Sequence, residues 1–269
     1  MKTIFTLILT VFISLASAEE EKEPSERYWL TEAGWQYAGL RDEPYSPFLF
    51  EGHNFAGGTA FLIFHNDYLH SLDLHGSYGQ LHPDIPEGPV KPYLTNYSGQ
   101  AAYAIHRKVW EEPNTGIMVF PGLYLNARFH YNEHSNHTNN AETFLNVSSA
   151  GLKSVLKYDF ELFGRDFMLL NSTEMPLFSL RMRPAHNFSF PEEFINPVES
   201  EYEGWKKSVK PAFVTEYFSF YNQFRFSWFL YSGNALGLTY AWQFGNFNTE
   251  RSSRKNFEQT LMLSKQFRF

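Results

Sequence analysis

The chain of 269 residues contains no cysteine, and this absence excludes a fold held together by disulfide bonds. Long apolar runs are also scarce, because only residues 4–15 form one, and that run is too short for a membrane-spanning helix. Basic residues number 22 against 29 acidic ones, so nucleic acid is not an expected partner. Aromatic residues, in contrast, make up 19% of the chain, and this apolar content excludes a disordered protein.

Residues 1–18 have the layout of a secretory signal peptide. Lys2 precedes the apolar run, and the small residues Ala16, Ser17 and Ala18 form a cleavage site. Acidic residues follow at once, which argues against a buried first strand. The sequence therefore predicts an exported protein in which residues 1–18 are removed and residues 19–269 form one domain.

Alternation of apolar and polar side chains determines the predicted fold class. In the last segment Leu261 and Leu263 share one face, whereas Thr260 and Ser264 lie on the opposite face. Successive side chains of a strand point to opposite sides, so such a segment separates an apolar from a polar environment. Further segments repeat the pattern, at residues 72–78, 117–130, 150–162 and 236–244.

Two architectures produce such segments: a soluble sandwich with one wet face, and a membrane barrel with a polar interior. The segments are longer than the roughly five or six residues usual for sandwich strands, and aromatic residues cluster near their ends. The chain also ends on Phe269, and a terminal Phe after alternating apolar residues resembles the assembly signal of outer-membrane barrels. We therefore predict an all-β, closed, up-and-down antiparallel transmembrane β-barrel of about ten strands, within a range of eight to twelve.

Turn-prone and polar sequences divide the chain into strands and connections. Short connections are expected at residues 65–67, 111–115, 164–166 and 233–234, and longer ones at 81–93, 131–142, 184–210 and 248–256. Short turns belong on the periplasmic side of such barrels and long loops on the outside. The expected strands are a first one within 27–50, then 55–65, 67–79, 95–108, 116–131, 143–163, 166–181, 211–232, 235–247 and 256–269.

One polar segment at the expected outer rim contains residue types that hydrolyse esters. It resembles the motif of outer-membrane phospholipase A and lipid A deacylase, in which one residue separates a His from the nucleophilic Ser. Here Glu133 stands at the histidine position and His134 is adjacent to Ser135, so the pair could meet only in a loop conformation. The candidates for this chemistry are Ser135, His134, His130, Glu142 and Asn146.

A second group of candidates consists of charged residues on the polar faces of predicted strands: Arg128, Lys153, Lys157, Asp159 and Glu161. The interior of a ten-stranded barrel is narrow and filled mainly by side chains, so ion pairs are the first interpretation and a small-solute pore the second. His130, His134 and His137 have the spacing of metal ligands on a helix, but their segment predicts strand and loop. We expect no metal and no cofactor.

Two segments resemble an uncharacterised family of predicted outer-membrane proteins from Bacteroidota. One runs from Asp42 to Pro47 and continues with Phe50-Glu51-Gly52, similar to the family's Asp-Thr-Tyr-Leu-Ser-Pro and aromatic-x-Gly start. The other opens with Tyr131-Asn132 and contains Asn139-Asn140-Ala141, where the family has Asn-Asn-Pro-Ala. The resemblance implies a barrel in the outer membrane and implies no activity.

The sequence thus predicts a monomeric, porin-like outer-membrane barrel of a Gram-negative bacterium. Its expected partners are the outer-membrane lipids and the barrel assembly machinery. Its expected role is structural, or the binding or passage of a small ligand or solute. The alternatives are an outer-leaflet lipid acyl hydrolase that uses Ser135 and a soluble periplasmic β-sandwich that acts as a binding module.

Overall fold

The structure, a computed structural model, describes residues 25–42, 46–84, 92–135, 142–182, 209–249 and 252–269, so the predicted signal peptide lies outside the described residues. Within these ranges no helix is long and apolar enough to cross a membrane. The strands are β1 (Glu26–Asp42), β2 (Ser46–His65), β3 (Tyr68–Pro83), β4 (Leu94–Arg107), β5 (Trp110–Glu112), β6 (Ile117–His134), β7 (Glu142–Leu162), β8 (Arg165–Met182), β9 (Val209–Phe213), β10 (Tyr217–Phe229), β11 (Ala235–Thr249) and β12 (Ser252–Arg268).

The sheet closes into an antiparallel barrel of ten strands. Neighbours along the chain pair in turn, and closure is completed because β1 pairs with β12 while β10 pairs with β8. The short strands β5 and β9 add to β6 and β8 and are not among the ten. Closure confirms the predicted barrel and shows that the sandwich alternative is wrong, since a sandwich consists of two open, stacked sheets.

The apolar face of each strand points outward. Leu263 is 69% exposed, whereas its neighbours Met262 and Ser264 are buried inside the barrel. Leu123 and Leu125 of β6 are likewise exposed. Apolar side chains on the outer wall of a closed barrel face lipid tails, so the alternation in the sequence marks the boundary between membrane and interior.

Six aromatic residues form a row around one half of the outer wall, near the end that carries the long connections. They are successive register partners: Trp35, Phe55, Tyr78, Tyr97, Tyr131 and Phe144. The ring centroids of Tyr78 and Tyr97 are 4.9 Å apart, and those of Tyr97 and Tyr131 are 5.7 Å apart. Aromatic bands of this kind mark the membrane–water interface.

The short connections lie where the sequence predicts them. Asn66, Phe163 and Gly164 have φ angles of 51°, 54° and 68°, which the tight turns between β2 and β3 and between β7 and β8 require. Gly233, with φ of 82°, turns the chain between β10 and β11. All these turns lie at one end of the barrel, which we call the short-turn end.

Three predicted boundaries are wrong. The long connection predicted at 248–256 is mostly strand, because β11 and β12 stay paired as far as Thr249 and Ser252. Strands that continue beyond the membrane are wetted on both faces, so hydrophobic alternation does not mark their ends. The strand predicted at 211–232 is broken between Phe213 and Tyr217, and the strand predicted at 55–65 begins earlier, at Ser46.

Candidate functional site in the barrel interior

Buried ion pairs cross the middle of the barrel. Arg225 of β10 donates from Nε and Nη2 to the two carboxylate oxygens of Glu32 on β1, at 3.3 and 3.2 Å. The hydroxyl of Thr239 donates to Glu32 Oε1 at 2.5 Å. β1 and β10 are not adjacent in the sheet, so this fork of hydrogen bonds spans the interior.

A second set of buried charges lies beside the first. Lys153 Nζ of β7 lies 3.2 Å from Asp73 Oδ2 on β3 and 2.9 Å from Glu174 Oε1 on β8. Charges removed from water need partners, and here each ion has one. We call the five residues Glu32, Asp73, Lys153, Glu174 and Arg225 the ionic layer.

A chain of side-chain hydrogen bonds, here called the polar ladder, follows the wall nearer the long connections. It runs from Glu258 through Gln36, Asn54, Asn96 and Asn132 to Thr143, with donor–acceptor distances of 2.6 to 3.0 Å. The bond from Asn54 to Asn96 passes over β3 at Gly79, whose register partners are those two residues. A Cβ at Gly79 would overlap Asn54 Oδ1, so glycine is what lets the ladder continue.

A small cavity, the lumen chamber, lies between the polar ladder and the ionic layer. Its volume is about 50 Å³, several times the roughly 10–15 Å³ that one water needs. The lining includes Gln36 of the ladder, and His75, whose Nε2 lies 3.9 Å from Glu32 Oε2 of the ionic layer. Further polar lining comes from Gln100, Arg128, Tyr221, Gln243 and Glu258. The sequence-predicted Arg128 is therefore part of the chamber wall.

An apolar cluster fills the interior toward the short-turn end, and we call it the apolar plug. It consists of Tyr28, Leu30, Ala60, Leu62, Phe64, Leu69, Phe120, Val155, Met168 and Leu170, with Met118 and Phe229 packed against it. This finding corrects the expectation of a polar interior throughout. Where side chains fill the interior of a barrel, no water remains there, and the inward-pointing residues do not need to be polar.

A wide recess of about 620 Å³ opens beyond the plug at the short-turn end. Lys157, Asp159 and Glu161, predicted as interior charges, line this recess and not the chamber. Lys157 Nζ lies 2.7 Å from Asp159 Oδ2 and 3.4 Å from Glu26 Oε2, whereas Glu161 is exposed. Three of the five predicted charges therefore surround the barrel mouth.

The residues proposed for ester hydrolysis are not brought together. Ser135 is exposed, and its hydroxyl accepts a hydrogen bond of 3.0 Å from the backbone N–H of Tyr93. His130 and His134 are buried and point into the barrel, because they lie an even number of positions apart on the same strand. Ser135 is adjacent to His134, so it lies on the opposite side of the sheet. Asn146 lies on the outward-facing side of β7, and the side chain of Glu142 lies outside the described residues.

Metal ligands do not cluster in the part of the chain that the structure describes, where no group of three or more His, Cys, Asp or Glu could hold an ion. The inward positions of His130 and His134 place them near the chamber and near Phe50, whose ring meets His134 edge-on at 5.7 Å. His137 lies outside the described residues.

Of the ionic layer, only Lys153 is among the charged residues that the sequence predicts in the interior. Glu32, Arg225 and Glu174 belong to no motif, and Asp73 stood only as one of several polar residues on a predicted strand. The sequence pattern that could have identified them is alternation along the strand. Each of them lies at an inward-pointing position, between outward-pointing residues that are mainly apolar. Lys153 and Glu174 are register partners on the adjacent strands β7 and β8, but Glu32 meets Arg225, and Asp73 meets Lys153, only because the sheet closes.

Known structures with similar folds are outer-membrane barrels. The outer membrane protease OmpT from Escherichia coli superposes with a TM-score of 0.51 at 6% identity, covering 94% of this chain and 99% of that one. Neisserial surface protein A gives 0.35 at 8% identity, covering 92% and 100%, and Ail of Yersinia pestis gives 0.31 at 8%, covering 90% and 99%. At such identities the likeness to OmpT shows the fold alone.

No protein-family profile and no curated protein matches the sequence. The resemblance to a Bacteroidota family, like the signal peptide, therefore stays a prediction. The fold itself is that of an outer-membrane β-barrel.

Proposed function

We propose that the protein is a monomeric outer-membrane barrel that binds a small polar ligand in its lumen chamber and does not pass solutes. The observation that carries this proposal is the apolar plug. Its rings form a chain from Phe229 through Tyr28 and Phe64 to Phe120, with successive centroids 6.1, 6.1 and 6.0 Å apart. The chain extends from β10 to β6, across the interior.

The plug opposes passage because a hydrated solute would have to separate packed apolar side chains. Removing one buried aromatic ring from a packed core costs about 3–5 kcal/mol, which indicates the strength of such contacts. Lys157 also sits over the Phe64 ring, 4.7 Å from its centroid, and covers the plug on the recess side. The ionic layer, with each charge directly paired, adds a second barrier above the plug.

The chamber is open to ligands only from the side of the long connections under this proposal, since the plug closes the other side. Its wall combines amide, hydroxyl, imidazole, carboxylate and guanidinium groups with the apolar side chains of Ala56, Ala241 and Met262. The charged and hydrogen-bonding groups would orient a small polar molecule, which is the ligand that we propose for this wall.

The proposal is tested by single-channel recording of the purified protein in planar lipid bilayers. We expect no stepwise conductance from the native protein. The double substitution Phe64→Ala and Phe120→Ala removes two rings of the plug, and we expect discrete conductance steps from it.

Phe55→Ala serves as the matched control, because it removes a ring of the same size from the outward face, where Phe55 is exposed. This variant should remain silent. Regular conductance steps from the native barrel would contradict a sealed interior and would restore the pore as the better interpretation.

A further inference from the structure

We infer that the lumen chamber binds a small zwitterion, a molecule with one carboxylate and one ammonium group, between Arg128 and Glu258. This inference rests on the proposed function, because it names the ligand class of the same chamber. Three features of the chamber lead to it: an unpaired cation, an unpaired carboxylate, and polar walls between them.

Arg128 supplies the site for a carboxylate. Its side chain lies in the barrel interior and is only 7% exposed, yet no carboxylate of the described residues lies within 4 Å of its guanidinium. Nη2 donates to Gln100 Oε1, and the remaining N–H groups are available to the chamber that Arg128 lines. A guanidinium stays charged in proteins and matches a carboxylate with two parallel hydrogen bonds.

Glu258 supplies the site for an ammonium group. It lines the same chamber, accepts a hydrogen bond of 3.0 Å from Gln36 Nε2 and also has a side-chain hydrogen bond with Asn256. Among the described lysines and arginines none lies within 4 Å of its carboxylate. An ionised carboxylate has about four acceptor sites, so these two hydrogen bonds leave about half of its capacity unused.

Apart from Arg128, every buried lysine or arginine of the described residues lies within 4 Å of a carboxylate. Glu32 and Arg225 are 3.2 Å apart, and Lys153 is 2.9 Å from Glu174. Even near the long connections, Arg254 lies 3.6 Å from Asp42. Arg128 and Glu258 carry opposite charges on the wall of one chamber and attract each other, but their side chains form no ion pair within 4 Å. A molecule that bears both charges would compensate both residues at once, whereas a simple anion or cation would leave one of them unpaired.

The neutral side chains and the volume of the lumen chamber restrict the size and chemistry of the ligand further. The Nε2 atom of His75 is buried in the chamber wall and has no hydrogen-bond partner among the described residues. Ser77 and Ser98, also in the wall, bond to each other at 2.7 Å. The volume of about 50 Å³ admits only a few water-sized groups. The ligand is therefore an amino acid with the smallest side chains, with glycine as the probe.

Equilibrium dialysis of the full chain in detergent micelles tests this inference, with labelled glycine as the probe. Acetate and methylammonium, which carry one charge each, serve as competitors. We expect glycine to bind at least tenfold more tightly than either competitor. Arg128→Gln and Glu258→Gln should each weaken glycine binding at least tenfold, and Glu258→Gln should bind acetate better than the native protein does.

Glu161→Gln is the matched control, because it removes a charge of the exposed recess and should leave glycine binding unchanged. Heat-modifiable mobility in gels shows whether each variant is folded. If acetate binds as tightly as glycine, the chamber is a ligand site as proposed but the zwitterion is overturned. The zwitterion inference would also be overturned by unchanged glycine binding in a folded Arg128→Gln variant, or by the absence of glycine binding to the native protein. The conductance test of the apolar plug is independent of these results, so the proposed function can fail or hold separately.

Discussion

At the scale of single residues, the interior is defined by charges that lie far apart in sequence and meet across the barrel. Glu32 and Arg225 are separated by 193 positions, yet they share a bidentate pair and a third hydrogen bond from Thr239. A buried ion without its partner is costly, whereas an apolar pair of similar volume is often tolerated. The pair therefore fixes which strands face each other more than it adds net stability.

Removing one member of this pair should destabilise the barrel strongly. We expect Arg225→Met to lower the free energy of unfolding by about 3–5 kcal/mol, because it leaves the Glu32 carboxylate buried and unpaired. The double variant Glu32→Leu and Arg225→Met should recover most of that loss. Urea unfolding in micelles, arranged as a double-mutant cycle, measures both effects.

The exposed pair of Lys108 and Glu111, 2.8 Å apart, provides the comparison. Its disruption by Glu111→Ala, which leaves the second ion pair of Lys108 with Asp67 in place, should cost less than about 1 kcal/mol, because solvent screens the charges. Equal losses at the exposed and the buried pair would contradict the importance that we assign to burial.

At the scale of elements, the polar ladder depends on one glycine of β3. Gly79 faces the interior, and a Cβ there would lie 2.6 Å from the His53 carbonyl oxygen and 2.7 Å from Asn54 Cα, both backbone atoms. Backbone in a closed sheet cannot move aside without breaking its hydrogen bonds. The bond between Asn54 and Asn96 would be displaced as well.

We therefore expect Gly79→Ala to lower the free energy of unfolding by about 1–3 kcal/mol, the usual range for overpacking. Gly76→Ala in the same strand is the control, because its Cβ would meet nothing closer than the Ser98 carbonyl oxygen at 3.4 Å. That variant should unfold within about 0.5 kcal/mol of the native protein. Equal midpoints for the two variants would contradict the overpacking that we predict at Gly79.

The sequence was sufficient to locate the strands and turns whose positions are set by the membrane. Leu261 and Leu263 had to face lipid, and Asn66 and Gly164 had to turn the chain, so strands and short turns could be located in advance. The sequence was insufficient to predict contacts that depend on the register of strands distant in the chain. The meeting of Glu32 with Arg225 follows from closure of the whole sheet, and nothing local announces it.

The apolar plug shows a different limit. Inward residues such as Leu30, Met168 and Leu170 break the apolar–polar alternation because both faces of the strand are apolar there. Such stretches resemble an ordinary buried strand when they are considered one at a time. Only the closed barrel reveals that they converge, and so the polar interior predicted from the sequence is wrong at the short-turn end.

At the scale of the whole molecule, the barrel is layered along its axis. The recess and the apolar plug occupy the short-turn end, the ionic layer lies in the middle, and the lumen chamber and polar ladder lie toward the long connections. The aromatic row lies on the outer wall at the register level of the ladder. If the chamber binds a ligand as proposed, that ligand enters from the side of the long connections, so the proposal depends on the orientation of the barrel.

The orientation can be measured directly because the chain contains no cysteine that would give background labelling. Ser135 is exposed at the end of the long connections, and Asp67 is exposed in a turn at the opposite end. Since long loops of such barrels face outward, a membrane-impermeant maleimide should label Ser135→Cys in intact cells of a Gram-negative host. Asp67→Cys should react only after the outer membrane has been permeabilised. The reverse pattern would place the chamber on the periplasmic side, and the proposed ligand would then have to come from within the cell envelope.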